Sequence, residues 1–358
     1  MECYYNCHCF FRADSGNIIG MGHLSRCLNL MENIKNRYKL FKFYLIQKNH
    51  ISNSQYQLPD WIKLIILPVT KQIDTHHSTW LGSSNEEDYT STWKTICNEI
   101  KCTSNLNCKV YLFADHYSIN IDWENYFISK VDKLVVIDDF NDRQHNCHYL
   151  INSSTTNIDD HIINPTCIKL IGPSYIILSN KLLNIKPSSV NRWPIRHILV
   201  SFGGYDTTNH SSKILSMLKK NVDHIDKFVF HFVLGYSSMY NELKQFESDM
   251  FKFYPYVDLY QMYQFIDLSI CSNSSSCFDK CYMEIPMIGI SVVENQQNIG
   301  LLLEQSGCLI NLTNNEDYLI TVLNEISQDY NQFMKMKTNC KKFIQDSISD
   351  KLLMNLNL

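Results

Sequence analysis

CYYNCHCFFRADSGNIIGMGHLSRCLNLMENIK, residues 3–35, is the stretch that decides the fold. Its first ten residues are apolar, aromatic and short enough for one strand, read over 3–12. Residues 13–22 then bring three of the chain's eleven glycines, Gly16, Gly20 and Gly22, into one loop. From His23 to Lys35 the apolar residues Leu24, Cys27, Leu28, Met31 and Ile34 recur at helical spacing. Strand, glycine loop and helix in that order open an α/β domain.

Outward from this unit the same alternation continues. Short strands are read over 41–47, 64–69, 110–114 and 133–137, with a short edge element over 149–151. Residues 70–92 are polar and aperiodic and read as a surface loop, followed by a helix over 93–101. Residues 180–196 are polar, contain Pro187 and Pro194, and read as a linker. A second pattern follows. Strands are expected over 197–202, 228–234, 267–271, 287–292 and 309–311. Helices are expected over 211–220, after the serine run to 283, from 297 to 306, and over 315–350. The expected fold class is therefore α/β, two Rossmann-like domains with a central cleft, with residues 1–185 as the first domain and 186–358 as the second. Parallel sheets place their ligands at the carboxyl ends of the strands.

The chain has 358 residues, 45% hydrophobic and 19% charged, with a formal net charge of −4. This composition excludes a fibrous or wholly disordered chain. The charge argues against a broad face for nucleic acid, and no apolar run is long enough to span a membrane. The N-terminus lacks the pattern of a secretion signal, and the fourteen cysteines are scattered through apolar segments. Reduced, buried thiols and a cytoplasmic, monomeric protein are expected. Cys3, Cys7, His8 and Cys9 match no standard metal spacing, and alternation along a strand explains them as well. No metal and no cofactor are expected. Only two alanines, Ala13 and Ala114, and six arginines occur. In such a background each glycine and arginine points to a structural need.

Several groups can carry chemistry. His23 sits at or near a helix N-terminus, whose positive end disfavours imidazolium, so a neutral ring can serve as general base. A histidine that caps or packs the helix is the competing reading. Gly20 and Gly22 let ligand oxygens approach backbone N–H groups. Asp115, His116 and Tyr117 follow a strand. Asp115 can orient a histidine and Tyr117 can donate to a substrate oxygen, or the three form a solvated turn. Asp138 and Asp139 are adjacent, so they make poor joint metal ligands; a structural role, such as pairing with Arg143, is expected. In the second half, Gly203 and Gly204 form either a ligand loop or a tight turn. Ser274, Ser275 and Ser276 open a helix and offer an anion site or ordinary capping. Asp279 follows by one turn and can accept from ribose hydroxyls. Asn295 and Gln296 can hold a sugar or simply start a helix.

In order along the chain stand FRADSGNIIGMGHLSRCLNL (11–30), ADHY (114–117), VVIDDFNDRQHNCHYLIN (135–152), GPSYIIL (172–178), LVSFGGYDTTN (199–209) and ENQQNIGLLLEQSG (294–307). Together they resemble the UDP-2,4-diacetamido-2,4,6-trideoxy-β-L-altropyranose hydrolases of pseudaminic acid biosynthesis. The resemblance spans residue 10 to about 312, and its most specific part is the block from Arg12 and Asp14 through His23, Arg26 and Cys27. It implies a glycosyltransferase-B-like fold and hydrolysis of an anomeric C–O bond with inversion, releasing UDP and the free sugar. It makes His23 the base that activates water, places Tyr117 in the active-site cleft, and adds Arg26 to the substrate-binding set. UDP is implied near Gly203, Gly204 and the segment from Ser274 to Asp279. Phe278-Asp279 stands where many relatives carry Trp-Glu, and Met21 replaces a small polar residue. A diphosphate leaves readily, its terminal phosphate pKa being roughly 6. One base and one anion cradle then suffice without the usual pair of glycosidase carboxylates. Two other classes share these features: a glycosyltransferase of the same fold, and a non-catalytic nucleotide-sugar binding module.

Overall fold

β1 (Asn6–Arg12) is buried on both sides from Cys7 to Arg12. Phe11 stacks on Phe113 at 4.2 Å on one face, while Phe10 stacks on Tyr44 at 4.4 Å on the other. A strand covered on both faces reads as a continuous apolar run, which is the mark of a central parallel strand. Alternation also separates the early thiols: Cys7 and Cys9 share the core with Phe11, whereas the His8 ring hydrogen-bonds the Tyr44 hydroxyl. The computed structural model describes residues 6–48, 50, 58–101, 108–156, 162–187, 193–206, 208–235, 239–255, 257–345 and 351–358. Cys3 and part of the expected linker lie outside them.

The chain divides into two units, Met1–Ser179 with Asp350–Leu358, and Asn180–Ser349. In the first, β1 is followed by α1 (Gly22–Arg37), β2 (Lys42–Lys48), β3 (Ile62–Leu67), α2 (Asn85–Lys101), β4 (Cys108–Ala114), α3 (Ile121–Phe127), β5 (Lys133–Ile137), β6 (Tyr149–Asn152) and β7 (Ile168–Ile171). The seven strands are parallel in the order β3-β2-β1-β4-β5-β6-β7. β6 is therefore interior and not the edge element expected, because β7 pairs along it from Tyr149 to Asn152.

The second unit runs α4 (Asn180–Leu183), β8 (His197–Ser201), α5 (His210–Lys219), β9 (Val229–Val233), α6 (Tyr240–Leu243), β10 (Phe251–Tyr254), α7 (Leu259–Met262), β11 (Leu268–Ser272), α8 (Ser276–Tyr282), β12 (Met287–Ile290), α9 (Gln297–Gln305), β13 (Leu309–Asn311), α10 (Leu319–Gln328) and α11 (Tyr330–Ile344). Its six strands are parallel in the order β10-β9-β8-β11-β12-β13. The single long helix expected over 315–350 is broken at Asp329, whose extended backbone and side chain cap α11 through the Gln332 N–H at 3.0 Å.

The sequence boundary between residues 185 and 186 and the division at Ser179–Asn180 differ by six positions, and the chain end differs more. α12 (Lys351–Leu356) belongs with the first unit, where Leu352, Leu353 and Leu356 join the core containing Leu24 and Phe11. Each sheet reverses its winding once, between β1 and β4 in one unit and between β8 and β11 in the other. Such a switch point opens a crevice at the strands' carboxyl ends. Among the described residues no helix is long and apolar enough to cross a membrane.

Candidate active site

The first switch point is where the anticipated residues of the first unit meet. After β1 the chain closes a small loop through paired Gly16–Gly20 backbone bonds of 3.2 and 2.7 Å. Gly20 has φ +82°, a conformation that side chains other than glycine rarely adopt, and a Cβ built on Gly20 or Gly22 would meet nothing within 4 Å. The loop therefore presents open space above its backbone. α1 begins at Gly22 after Met21, which supplies no side-chain cap, so His23 is the second residue of the helix. The competing reading of His23 as a cap does not hold, because its ring turns to another residue.

That residue is Asp115, just past β4 and pinned by its own N–H to the Arg12 carbonyl at 3.0 Å. Its Oδ1 lies 2.6 Å from His23 Nδ1. Arg26, one turn along α1 from His23, donates to the same carboxylate from Nε at 2.7 Å and Nη2 at 2.8 Å. Asp115 is completely buried, which by itself would raise its pKa, but Arg26 and His23 overcome this and hold it at about 2. An ionised carboxylate only accepts, so His23 Nδ1 carries a proton and Nε2 is the ring nitrogen left without a carboxylate. Nε2 has no hydrogen-bond partner among the described residues, and the side chain keeps 5% of its surface exposed.

Tyr117 closes the group. Its ring meets the His23 ring edge-on at 4.4 Å and 76°. Its hydroxyl donates to Asp139, whose other oxygen takes Arg26 Nη1 at 2.6 Å. Asp138 and Asp139 have opposite partners. Asp138 pairs with Arg143 at 2.9 Å, as the sequence suggests, whereas Asp139 serves the histidine's group. This use of Asp139 was not anticipated.

Behind this group lies a second buried network. Arg12 is 0% exposed and grips Asp14 through Nη1 and Nη2 at 2.6 and 2.9 Å, and Asp88 through Nη2 at 2.8 Å. Lys48 Nζ and the Trp123 indole also reach Asp88, at 3.3 and 3.0 Å. His116 accepts the Ser118 N–H on Nδ1 at 3.1 Å and so donates from Nε2 to Asp14 at 3.1 Å. Burial lowers its pKa to about 4, keeping it neutral. The ring lies nearly parallel to that of His23, 6.1 Å away.

The polar stretch 70–92 is not a simple surface loop. It delivers Trp80, whose ring centroid is 6.5 Å from that of His23, and it starts α2 at Asn85, so that Asp88 lies buried in the network. The signal was present: Ser84 and Glu87 form a capping box, with Ser84 N–H donating to Glu87 at 2.8 Å and Glu87 N–H to Ser84 at 3.2 Å. An open cavity of about 530 Å³ lies beside the glycine loop, bounded by Gly16–Ile18, His50 and residues 69–73. His23 does not line it.

In the second unit the anticipated residues gather at strand ends. Gly203 and Gly204 follow β8; Gly203 has φ +89° with open space above it, and the Gly204 carbonyl packs where Gly235 would otherwise carry a side chain. Asp206, unforeseen, accepts the His210 and Ser211 N–H groups at 2.9 Å each and caps α5. Ser274, Ser275 and Ser276 follow β11 and are half-buried. Ser274 Oγ lies 3.1 Å from Ser276 Oγ, which also receives Lys280 Nζ at 3.1 Å. Asp279 keeps some exposed surface, yet desolvation raises its pKa to about 7 against the opposing pull of Lys280. Gln296 is turned inward, accepting the Val292 N–H at 3.0 Å, while Asn295 stands beside it in the turn after β12.

No family model matches the chain. An uncharacterized protein of Methanocaldococcus jannaschii is 31% identical over 128 residues, 33% of this chain and 26% of that protein, so the chain spans about a quarter of this curated relative. Solved structures match over nearly the whole chain. MurG of Acinetobacter baumannii aligns with TM-score 0.61 at 10% identity, covering 99% of this chain and 100% of that one. Apo UGT2 of Phytolacca americana gives 0.63 at 12%, covering 98% of each. A putative UDP-N-acetylglucosamine 2-epimerase of Listeria monocytogenes gives 0.58 at 11%, covering 97% and 95%. The fold is glycosyltransferase-B-like, two parallel-sheet α/β domains.

Proposed function

We propose that this chain is an enzyme acting on a UDP-linked sugar, and that it transfers the sugar to water. The observation that carries the reading is the His23–Asp115 pair, which leaves a bare Nε2 on a ring that is otherwise enclosed. In this reaction Nε2 takes a proton from water as the water oxygen bonds to the anomeric carbon. The C–O bond to the diphosphate breaks on the opposite face, its electron pair leaves with UDP, and the anomeric configuration inverts. Asp115 and Arg26 act as positioning residues: one fixes the tautomer, and the other fixes the carboxylate.

Tyr117 fits a wall of the site better than a free donor, since its hydroxyl is engaged with Asp139. The nucleotide end of the reading falls on Gly203, Gly204 and Ser274 to Ser276, with Asp279 as ribose acceptor and Asn295 and Gln296 nearby in the fold. Support for a nucleotide sugar comes from the names of proteins sharing the fold, one of which is a putative UDP-N-acetylglucosamine epimerase. The resemblance in the block 11–30 supports the diacetamido-trideoxy sugar and hydrolysis. A transferase of the same fold is the second reading.

The deciding experiment incubates the chain with the UDP-linked diacetamido-trideoxy sugar and no acceptor. Stoichiometric UDP and free sugar support the hydrolase. UDP release that begins only when an acceptor is added replaces it with the transferase. Binding of UDP without any turnover under either condition leaves a binding module.

A further inference from the structure

Three cysteines of the second unit have no part in the reading above. Cys281 is the penultimate residue of α8, Cys308 immediately precedes β13, and Cys340 lies in α11. All three are free thiols at 0% exposure, and their Sγ atoms lie within 4.8 Å of one another. Three points no farther apart than this share a centre at most about 2.8 Å away (4.8 Å divided by √3), against ~2.3 Å for a zinc–thiolate bond. Movements of about half an ångström per sulfur would close the triangle on an ion. Among the described residues this is the one group of three or more His, Cys, Asp or Glu side chains that meets so closely. Competing hydrogen bonds are long: Cys340 Sγ is 3.7 Å from the Ile285 carbonyl and 3.8 Å from that of Cys308, and Cys308 Sγ is 3.9 Å from the Ser306 carbonyl.

We propose that Cys281, Cys308 and Cys340 form a structural site for a soft d10 metal ion, held as three thiolates. Thiolate sulfur selects zinc and monovalent copper over harder cations. Three sulfurs alone suit copper, while zinc completes a tetrahedron with one further donor such as a backbone carbonyl. Binding breaks three S–H bonds and releases three protons to solvent as three metal–sulfur bonds form. The ion ties α8 and α11 to the turn entering β13, the edge strand of the sheet. It thereby anchors the helices to the sheet without touching the strand ends that the proposed reaction uses.

The test measures metal in the full chain purified under reducing conditions, then titrates the metal-free protein with Zn²⁺, Cu⁺ and Cd²⁺ separately. One equivalent of zinc or copper per chain is expected, with a sulfur-to-metal charge-transfer band on adding Cd²⁺. Occupancy should fall at least tenfold in Cys281→Ser and in Cys340→Ser, but not in Cys97→Ser, a half-buried cysteine of the first unit. Wild-type protein that takes up no stoichiometric Zn²⁺, Cu⁺ or Cd²⁺ overturns the site and leaves packed thiols. Undiminished binding in folded Cys281→Ser or Cys340→Ser overturns it equally.

Discussion

His23 and Asp115 are 92 positions apart in sequence and 2.6 Å apart in space, Nδ1 to Oδ1. Two neighbouring strands make the contact possible: β1 delivers the glycine loop and α1, and β4 ends directly before Asp115. The tautomer, more than the helix end, sets what the ring can do. From this pair follows the first prediction. His23→Ala is expected to lower kcat by at least ~10²-fold, the scale of a lost general base, with UDP affinity unchanged. Asp115→Asn should produce a similar loss, since an amide can donate to Nδ1 and move the ring proton onto Nε2. Steady-state kinetics beside a UDP binding isotherm check both; wild-type kcat in His23→Ala would remove the base.

The two loop glycines should behave differently. Gly20→Ala forces a side chain into φ +82° and should cost about 1–2 kcal/mol of stability, read from the urea midpoint. Gly22→Ala meets no neighbour and starts a helix, so the fold should be unharmed or slightly stabilised. If ligand oxygens approach this backbone, KM rises in Gly22→Ala while Tm does not fall. Unchanged KM would deny the approach.

Asp88→Asn is expected to destabilise the first unit by about 3–5 kcal/mol, the cost of breaking a buried pair. Arg12 would keep only Asp14, and Lys48 would lose its carboxylate. Urea unfolding checks this; a change below 1 kcal/mol would mean that the network carries little.

Two histidines should shape stability against pH in opposite directions. His116, lowered by burial from 6.5 to about 4, refuses a proton that the unfolded chain accepts. Its contribution is present above pH 6.5 and is lost as pH falls towards 4. Burial opposes the charge on His145, but hydrogen bonds to Asp138 and Glu124 outweigh it and raise its pKa from 6.5 to about 9. That contribution is present below pH 6.5 and is lost as pH rises through 9. His145→Gln should flatten the alkaline limb and leave the acid limb intact in urea titrations across pH.

How much of this could be read from the chain follows from the range of each signal. The glycine loop and the spacing of Leu24, Cys27, Leu28 and Met31 act within one helix, so β1, α1 and the place of His23 were legible. Asp115 was visible as a strand-end carboxylate, although its partner depends on strand order. Asp88 was hidden because polar residues around it suggested a loop, and only the Ser84–Glu87 box marked the helix start. β7 and β10 are four residues each, too short for a period to show. Leu352, Leu353 and Leu356 lie beyond the helix expected over 315–350, and nothing local tells which core an apolar stripe will join. The three clustered thiols looked like separate core residues for the same reason.

Nitrogen-15 NMR of the His23 imidazole, recorded where the ring carries one proton and assigned by loss of its signals in His23→Ala, tests the central claim directly. The account predicts a protonated Nδ1 with a directly bonded hydrogen and an Nε2 with the shift of an unprotonated, pyridine-like nitrogen. A proton found on Nε2 would contradict it, since that ring could not accept a proton from water.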